Sequence, residues 1–216
     1  MVAPIYFYER EKEFGFLSNF ERTAFFALAP DAGVDGIAVK YPTNEHFYQS
    51  CRARPGAIRD YIISAPHAWY AMKIGRSLRP ADAVPDWDKV KLGIMENGLF
   101  HKFQDRVLAR MLLATGEAPL HENSPTDYFW GCGAKKTGAS WLGKLLEKVR
   151  SELRRARAGS PGQYHILTCS NCDSVMGYCF VGGVKKCLGC GRILEVRAEK
   201  GEVKVFSVPC RDPEVS

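Results

Sequence analysis

The sequence predicts an α+β protein, with a predominantly helical domain that contains a small antiparallel sheet, followed by a small domain of β-strands. Apolar residues recur at helical spacing through most of residues 44–157, whereas short β-prone runs precede and follow that region. A Gly/Ser/Pro-rich stretch separates the two parts. With 216 residues and 46% apolar content, the chain can build one full core and an appendage. We therefore expect domains at 1–158 and 164–216, joined by a linker at 159–163.

Three short β-prone runs begin the chain, at residues 5–8, 24–28 and 37–41, with a Gly/Asp loop at 31–36 between the last two. A small antiparallel sheet is the expected result. Between the first two runs, residues 14–20 crowd three aromatic rings around a glycine, a hydroxyl and an amide. This segment either closes over a planar ligand or fills the core, and the pattern leaves both open.

A helix is predicted to begin at Thr43 or Asn44, whose side chains can cap its first N–H groups. At about 100° per residue, one face of this helix gathers polar and aromatic groups, while Phe47 and Cys51 point into a neighbouring apolar arc. The residues of that face are Glu45, Tyr48, Gln49 and Arg52. They suit a pocket for a polar ligand with one general acid or base. The alternative is a surface face of ion pairs.

Helical spacing predicts further helices over residues 57–64, from Pro66 toward Arg76, and over 87–114 with an interruption or a bend near Gly98. In the middle of the long helix, His101, Lys102 and Gln104 are predicted to form a polar outer face. A last helix follows Gly138 and ends in a basic cluster at 154–157. That charge suits a helix C-terminus, with nucleic-acid contact as the second interpretation.

Residues 120–133 form a predicted loop rich in carboxylates, amides, aromatics and glycines, and loops of this length are uncommon unless functional. Trp130 offers a stacking face. Gly131 and Gly133 would let backbone N–H groups approach a phosphate or sugar, because they carry no side chain. A pair of glycines alone is a weak signal.

The eight cysteines include two Cys-x2-Cys pairs separated by fourteen residues, Cys169 with Cys172 and Cys187 with Cys190. This spacing predicts a zinc ribbon, in which four thiolates bind one structural Zn²⁺ tetrahedrally and so small a domain depends on the metal. Cys179 and Cys210 are not needed as ligands. The alternative, a redox disulfide pair, fits the paired spacing less well.

The net charge of +6 is uneven, because residues 1–159 hold 23 basic and 18 acidic side chains. A mild positive field suits phosphate-bearing ligands or nucleic acid, although a solvated face has the same composition. No run approaches the roughly 18 apolar residues of a membrane span, and the N-terminus lacks a basic-then-apolar signal. We therefore expect a cytoplasmic protein without a membrane partner.

Residues 5–157 resemble the NADAR, or YbiA-like, family through an ordered series of short motifs. The series comprises Phe14-Gly15-Phe16-Leu17-Ser18-Asn19-Phe20, Glu45-His46-Phe47-Tyr48-Gln49, Ala71-x-Lys73-x-Gly75-Arg76, Lys102-Phe103, Asp127-x-Phe129-Trp130-Gly131-x-Gly133 and Leu142-Gly143-x-Leu145-Leu146.

This resemblance implies an N-glycosidase that hydrolyses the bond between a nitrogenous base and C1 of a phosphorylated ribose, without a catalytic metal. Members either remove ADP-ribose from guanine in nucleic acid or cleave ribosylated intermediates of riboflavin synthesis. The implied catalytic residues are Glu45 as acid/base, Arg52 and Asp127. The implied ligand-binding residues are Phe16, Ser18, Asn19, Tyr48, Gln49, Lys73, Arg76, Trp130, Gly131 and Gly133.

Two positions depart from the family pattern. Many members carry a lysine, discussed as a Schiff-base nucleophile, where this chain has Arg52. A guanidinium stays protonated and is a poor nucleophile, but it binds phosphate well. Ser140 stands where the family pattern has asparagine, a change that would alter which ribose or base edge is read.

The sequence thus favours removal of ADP-ribose from ADP-ribosylated guanine in DNA or RNA, with a ribbon that docks nucleic acid or a partner protein. Cleavage of a ribosylaminopyrimidine phosphate is the alternative enzymatic function. A catalytically impaired module that binds ADP-ribose is the non-enzymatic one.

Overall fold

The structure is a computed structural model that describes residues 2–28, 37–158, 164–169, 171, 175–187, 190–199 and 202–211. Within these residues the fold is mixed α/β, with six α-helices and several small sheets. The helices are α1 (Asn44–Arg52), α2 (Ala57–Ile63), α3 (Ala68–Arg76), α4 (Trp87–Lys102), α5 (Arg106–Ala114) and α6 (Trp141–Arg157). The strands are β1 (Ile5–Phe7), β2 (Phe25–Leu28), β3 (Ala38–Tyr41), β4 (Leu120–Glu122), β5 (Tyr164–Thr168), β6 (Val175–Phe180), β7 (Val184–Lys186), β8 (Ile193–Glu199), β9 (Glu202–Ser207) and β10 (Cys210–Arg211). None of the helices in the described ranges has the length and apolarity needed to cross a bilayer.

The first three strands do not form one sheet. β2 and β3 pair antiparallel as predicted, but β1 pairs in parallel with β4. The sequence pattern placed all of residues 120–133 in a loop, because β4 has only three residues and its partner lies more than 100 residues away. This pairing carries the end of β4 and the following loop to the N-terminal segment.

α1 is the central helix of the fold, and its residues from Asn44 to Cys51 are all buried. The predicted cap is confirmed, since the Thr43 side chain accepts a hydrogen bond from the backbone N–H of His46. Two glycines let the neighbouring helices α3 and α4 approach α1 closely. A Cβ on Gly75 of α3 would lie 2.1 Å from Gln49 Oε1, and one on Gly98 of α4 would lie 2.0 Å from Asn44 Oδ1. Both helices therefore pack closely against α1 only because these positions lack side chains.

The helical region predicted over 87–114 is interrupted, but the break is not at Gly98. Gly98 lies within α4, and the helical region breaks instead between Lys102 and Arg106. There Asp105 begins α5, with its Oδ1 accepting hydrogen bonds from the N–H groups of Val107 and Leu108 at 2.8 and 2.9 Å. The capping aspartate starts α5 after α4 has ended at Lys102, whereas Gly98 serves close packing.

The predicted polar outer face at His101, Lys102 and Gln104 is also wrong, since these side chains are only 2%, 1% and 3% exposed. The Lys102 Nζ donates to the Ser18 carbonyl at 2.7 Å, and Gln104 Nε2 lies 3.1 Å from His101 Nδ1. Burial lowers the pKa of Lys102 to about 7 and that of His101 to about 3. These polar groups are buried because other parts of the chain cover them.

Part of that cover comes from the C-terminal strands. The Phe180 ring of β6 lies 5.2 Å from Phe100 and 4.8 Å from His101, centroid to centroid. Cys179 Sγ donates to Gln104 Oε1 at 3.1 Å. β5 pairs with β6 in an antiparallel sheet. A second antiparallel sheet consists of β7, β8 and β9. β10 pairs in parallel with β3. The C-terminal strands thus pack on the helical part of the chain.

Candidate active site

A cavity of about 120 Å³ opens beside the polar face of α1. Its walls come from α1, the segment after the 3₁₀ turn Gly15–Leu17, the last turn of α3, α4 and the loop after β4. The lining residues are Asn19, Phe20, Glu45, Tyr48, Gln49, Arg52, Met72, Arg76, Met95, Glu122, Asp127 and Trp130. Three carboxylates and two guanidinium groups therefore share one small space.

Glu45 is the buried carboxylate of the cavity. Its Oε1 accepts a hydrogen bond from Gln49 Nε2 at 2.7 Å, one helical turn away. Its backbone N–H donates to the Asn19 carbonyl at 3.1 Å, and Asn44 Nδ2 donates to Asn19 Oδ1 at 2.8 Å. The segment that carries Asn19 is thus fixed to the start of α1, which holds Glu45 in place.

Two of the carboxyl groups have raised pKa values. Burial raises the pKa of Glu45 to about 7, although the hydrogen bond from Gln49 and the positive charge of Arg76 both lower it. Burial also raises the pKa of Glu122 to about 8, and the negative charges of Asp127 and Glu45 add to this effect. Clustered carboxyl groups whose protonation changes near neutral pH are the arrangement that acid–base catalysis requires.

The cationic wall consists of Arg76 at the end of α3 and Arg52 at the end of α1. The Nε of Arg52 and the Oε1 of Gln49 are buried atoms without a hydrogen-bond partner in the described part of the protein. A buried donor left unpaired costs free energy, so a polar ligand that pairs with Arg52 Nε gains affinity. Gln49 Oε1 instead faces Gly75 of α3. Phosphate oxygens suit the arginine.

Aromatic rings also line the cavity, those of Tyr48 and Trp130 among them. The Tyr48 ring lies 5.0 Å from Trp87 and meets Trp130 edge-on at 5.5 Å, centroid to centroid. Burial and the nearby Glu45 charge raise the pKa of Tyr48 far above its usual value, so the phenol stays protonated. It can therefore serve as a hydrogen-bond donor to a bound sugar.

The loop after β4 is held by its own polar groups. Asp127 Oδ1 accepts hydrogen bonds from the N–H groups of Phe129 and Trp130 at 2.9 and 2.7 Å, which fixes the Trp130 backbone. Gly133 has a φ of +68°, and a Cβ there would lie 2.3 Å from the Tyr128 ring. The predicted glycines therefore shape the loop.

The model of the NADAR domain matches residues 6–154. An N-glycosidase from Nostoc punctiforme is 38% identical over 155 residues, covering 69% of this chain and 92% of that protein. The chain belongs to the NADAR domain family.

Two further relatives extend this comparison. The NMR structure of YbiA from E. coli superposes on this NADAR protein with a TM-score of 0.62 and 29% identity, covering 76% of this chain and 92% of that one. The fold is therefore YbiA-like. A riboflavin biosynthesis protein from Vibrio vulnificus is 34% identical over 155 residues, which cover 71% of this chain but only 40% of that protein.

The NADAR fold brings eight of the predicted site residues to one cavity. These are Asn19, Glu45, Tyr48, Gln49, Arg52, Arg76, Asp127 and Trp130. Five others do not line it: Phe16, Ser18, Lys73, Gly131 and Gly133. Phe16 packs in the core, which supports the core-filling interpretation for that part of the aromatic segment, and the Ser18 carbonyl binds Lys102. Lys73 instead lies over the Trp69 ring, with 5.0 Å between Nζ and the centroid.

Ser140 also lies away from the lining residues. It begins α6 in the left-handed conformation, with φ of +50°, and its Oγ is 3.2 Å from His121 Nδ1. Ser140 does not line this cavity, so the structure does not support the expectation that this position affects which ribose or base edge is read.

Sequence reasoning missed four lining residues: Phe20, Met72, Met95 and Glu122. Glu122 matters most, because it adds a second carboxyl group with a raised pKa. The signal present was its place in the predicted loop rich in carboxylates. It became interpretable only once the parallel pairing of β1 and β4 was known.

Three of the four predicted zinc ligands also come together. The sulfur atoms of Cys169, Cys187 and Cys190 all lie within 4.8 Å of one another, with 3.8 Å between the Sγ atoms of Cys169 and Cys190. Cys172 lies outside the described residues. A cluster of three thiols, two of them buried, is a donor set suited to Zn²⁺.

The carboxyl groups of the cavity should make stability depend on pH. The folded pKa of Glu122 is raised from 4.5 to about 8, so its stabilising contribution is complete below pH 4.5 and is lost as pH rises through 8. We expect Glu122→Gln to raise the melting temperature at pH 8 relative to wild type by at least roughly 2 to 4 °C, with a smaller gain at pH 5. Calorimetry at both pH values measures this, with the exposed Glu13→Gln as control. Equal shifts at both pH values would contradict it.

Proposed function

We propose that this NADAR protein is an N-glycosidase that hydrolyses a base–ribose bond, as the N-glycosidase names of its relatives suggest. The observation that carries the proposal is the buried Glu45, with a pKa of about 7, facing a cavity that also holds Glu122 and two guanidinium groups. Hydrolysis of this bond needs a proton for the leaving nitrogen and a base for the attacking water. Two carboxyl groups that titrate near neutrality can supply both.

In the proposed reaction, water attacks C1 of the ribose while the C1–N bond breaks. Glu45 in its ionised form accepts a proton from the water, and the protonated Glu122 donates a proton to the leaving nitrogen. The negative carboxylates also stabilise the positive charge that develops on the sugar ring. Proton exchange with solvent then restores both groups. Because the two groups interact, the reaction should report pKa values of the pair rather than of either residue.

The substrate that we propose is ADP-ribosylated guanine in DNA or RNA. A cavity of about 120 Å³ is smaller than the roughly 300 Å³ or more of pockets that enclose a drug-sized ligand, so it suits the reacting ribose rather than a whole nucleotide. The base then extends outside it. Arg52 and Arg76 would bind phosphate oxygens, and the net charge of +6 favours a polyanionic substrate.

A second candidate is hydrolysis of a ribosylaminopyrimidine phosphate, because relatives from Vibrio vulnificus and Zea mays carry the name of riboflavin biosynthesis proteins. This chain covers only 40% and 25% of those proteins. A module that binds ADP-ribose without turnover is the non-enzymatic candidate.

Parallel incubation with ADP-ribosylated oligonucleotide and with the ribosylaminopyrimidine phosphate separates these functions. We expect release of ADP-ribose from the oligonucleotide and slower cleavage of the small substrate. Faster cleavage of the small substrate would favour the second candidate. Tight binding of both substrates without release of product would favour the third candidate, a module that binds ADP-ribose without turnover.

Arg52 is proposed to bind phosphate and not to form a covalent adduct. We expect Arg52→Lys to retain ligand binding within about tenfold, because the charge is kept while the bidentate geometry is lost. Hydride reduction during turnover of wild type should trap no ADP-ribosyl adduct at Arg52. Mass spectrometry of the reduced protein measures this, and an adduct mapped to Lys73 or Lys102 would show that a different nucleophile has replaced the family lysine.

For the C-terminal part we propose a zinc ribbon over residues 164–216, with Cys169, Cys172, Cys187 and Cys190 as ligands of one structural Zn²⁺. The cluster of three thiols supports this assignment. In this proposal the ribbon docks nucleic acid or a partner protein, and the protein acts in the cytoplasm.

A further inference from the structure

One face of α3 runs from the proposed active site to the protein surface. Met72 and Arg76 line the cavity. Trp69 precedes Met72 by three residues and Lys73 by four, so these three side chains lie on the same side of the helix. We call this side, which consists of Trp69, Met72, Lys73 and Arg76, the α3 face. Its outer half, Trp69 with Lys73, has no role in the proposed reaction.

The outer half of the α3 face is an exposed aromatic surface. Trp69 and its neighbour Tyr70 are 49% and 48% exposed, although they are large apolar side chains. The two rings are nearly perpendicular, at 87°, with 5.1 Å between their centroids. An indole that is half open to water keeps flat apolar surface on which a planar ligand can stack. Trp69 is therefore available as a stacking platform beside the active site.

Lys73 adds a positive charge at the same place. Its Nζ lies 5.0 Å from the centroid of the Trp69 ring. Among the residues that the structure describes, Lys73 makes no ion pair with a carboxylate. The charge of Arg76, in contrast, already acts on the carboxyl groups of Glu45 and Glu122. Lys73 is therefore the cation of the α3 face that can turn from the ring to an anionic ligand.

The length of the α3 face limits which ligand can use it. Trp69 and Arg76 are seven residues apart, which corresponds to about 10 Å along the helix axis at 1.5 Å per residue. Arg76 is a proposed phosphate ligand beside the reacting ribose. A chain that continues from this phosphate through a second phosphate and a second ribose passes Lys73 and brings its terminal base to Trp69.

We propose that the α3 face binds the adenosine half of ADP-ribose, with the second phosphate at Lys73 and the adenine ring stacked on Trp69. This inference rests on the proposed function and makes Trp69 a residue that distinguishes ADP-ribose from smaller ribosyl phosphates. Aromatic side chains accept any base in this way, because every base has a π-face. A ribosylaminopyrimidine phosphate has no second base, so Trp69 would contribute nothing to its binding.

Isothermal titration calorimetry with ADP-ribose and with ribose 5-phosphate tests this proposal. We expect Trp69→Ala to weaken ADP-ribose binding by roughly tenfold, the scale of stacking between a base and an aromatic ring, and to leave ribose 5-phosphate binding unchanged. Trp69→Phe keeps an aromatic ring and should stay within about threefold of wild type. The matched control is Tyr8→Ala, at an aromatic side chain that is also 49% exposed but does not line the active-site cavity.

The Lys73 contact has its own readout. Lys73→Gln should weaken ADP-ribose binding about threefold to tenfold at low salt and less at high salt, because salt screens the attraction between exposed charges. Binding of ribose 5-phosphate should not change, since its phosphate is the one that Arg76 is proposed to bind. Equal weakening of both ligands would contradict the placement of the second phosphate at Lys73.

Binding of ADP-ribose requires no catalysis, so a failure of the proposed glycosidase activity leaves these readouts intact. The proposal would be overturned if Trp69→Ala bound ADP-ribose like wild type, or if Tyr8→Ala lost as much affinity. Wild type that cleaves a ribosyl phosphate but does not bind ADP-ribose would also overturn it. An unmodified 12-mer oligothymidine tests the other source of a base. If Trp69→Ala weakened binding of this strand as much as that of ADP-ribose, Trp69 would hold a base of the nucleic acid, and the adenosine assignment would be wrong.

Discussion

Glu45→Gln is expected to lower the rate of base–ribose cleavage by roughly 10²- to 10⁴-fold, the usual contribution of a positioned acid or base. The amide has nearly the same shape as the carboxyl group and can still accept the hydrogen bond from Gln49 Nε2, which the carboxylate accepts at 2.7 Å. The cavity should therefore keep its form while losing the group that exchanges protons with water. Ligand binding should change far less than the rate.

Single-turnover kinetics across pH 5 to 9 measures both effects. Wild type should show a bell-shaped profile, whose limbs follow the Glu45 and Glu122 pair with pKa values of about 7 and about 8. Glu45→Gln should remove the rising limb, where Glu45 loses its proton and becomes the base. The exposed Glu13→Gln serves as control and should leave the profile unchanged. Full activity of Glu45→Gln would exclude this glutamate from the mechanism.

The part of the site that lies on α1 could be predicted from sequence because its causes are local. Helical spacing alone places Glu45, Gln49 and Arg52 on one face, and a capping threonine marks where the helix begins. What spacing cannot give is the partner across the cavity. Glu122 arrives there through the pairing of β1 with β4, and the three residues of β4 are too few to carry a sequence signal of their own.

Burial of the polar residues at the end of α4 has the same explanation. A helix considered alone has a polar face that should meet water, and His101 with Lys102 fitted that face. In the structure, Ser18 and Phe180 cover these residues from distant parts of the chain. The family motif Lys102-Phe103 therefore marks a buried lysine that anchors the segment next to Asn19, although helical spacing indicated a solvated one.

The contact of Phe180 with the helical part changes what metal removal should do. From the sequence alone, loss of zinc would unfold only the ribbon, because so small a domain has little core of its own. Phe180, however, belongs to the same hydrophobic cluster as Leu99 and Phe100, and Lys185 Nζ donates to the Gln104 carbonyl at 2.6 Å. Withdrawing these contacts opens a cavity in the helical core.

We therefore expect about one zinc per chain, bound at roughly 2.3 Å by four cysteine sulfur atoms, and a loss of stability beyond the ribbon when it is removed. Withdrawal of a buried phenylalanine costs about 3 to 5 kcal/mol, which at about 2 to 4 °C per kcal/mol predicts a fall of roughly 6 to 20 °C in the melting temperature of the helical part.

Metal analysis and calorimetry of Cys187→Ser measure both quantities, with Cys179→Ser as the matched control. Cys179 is a buried thiol of the same region that donates to Gln104 Oε1, a bond that a serine hydroxyl can replace, so this variant should keep its zinc. Zinc loss in both variants would remove the distinction between ligand and core cysteine. Wild-type protein that is free of metal and yet melts like the zinc-loaded form would contradict the ribbon itself, because four thiols without a metal cannot hold so small a domain in place.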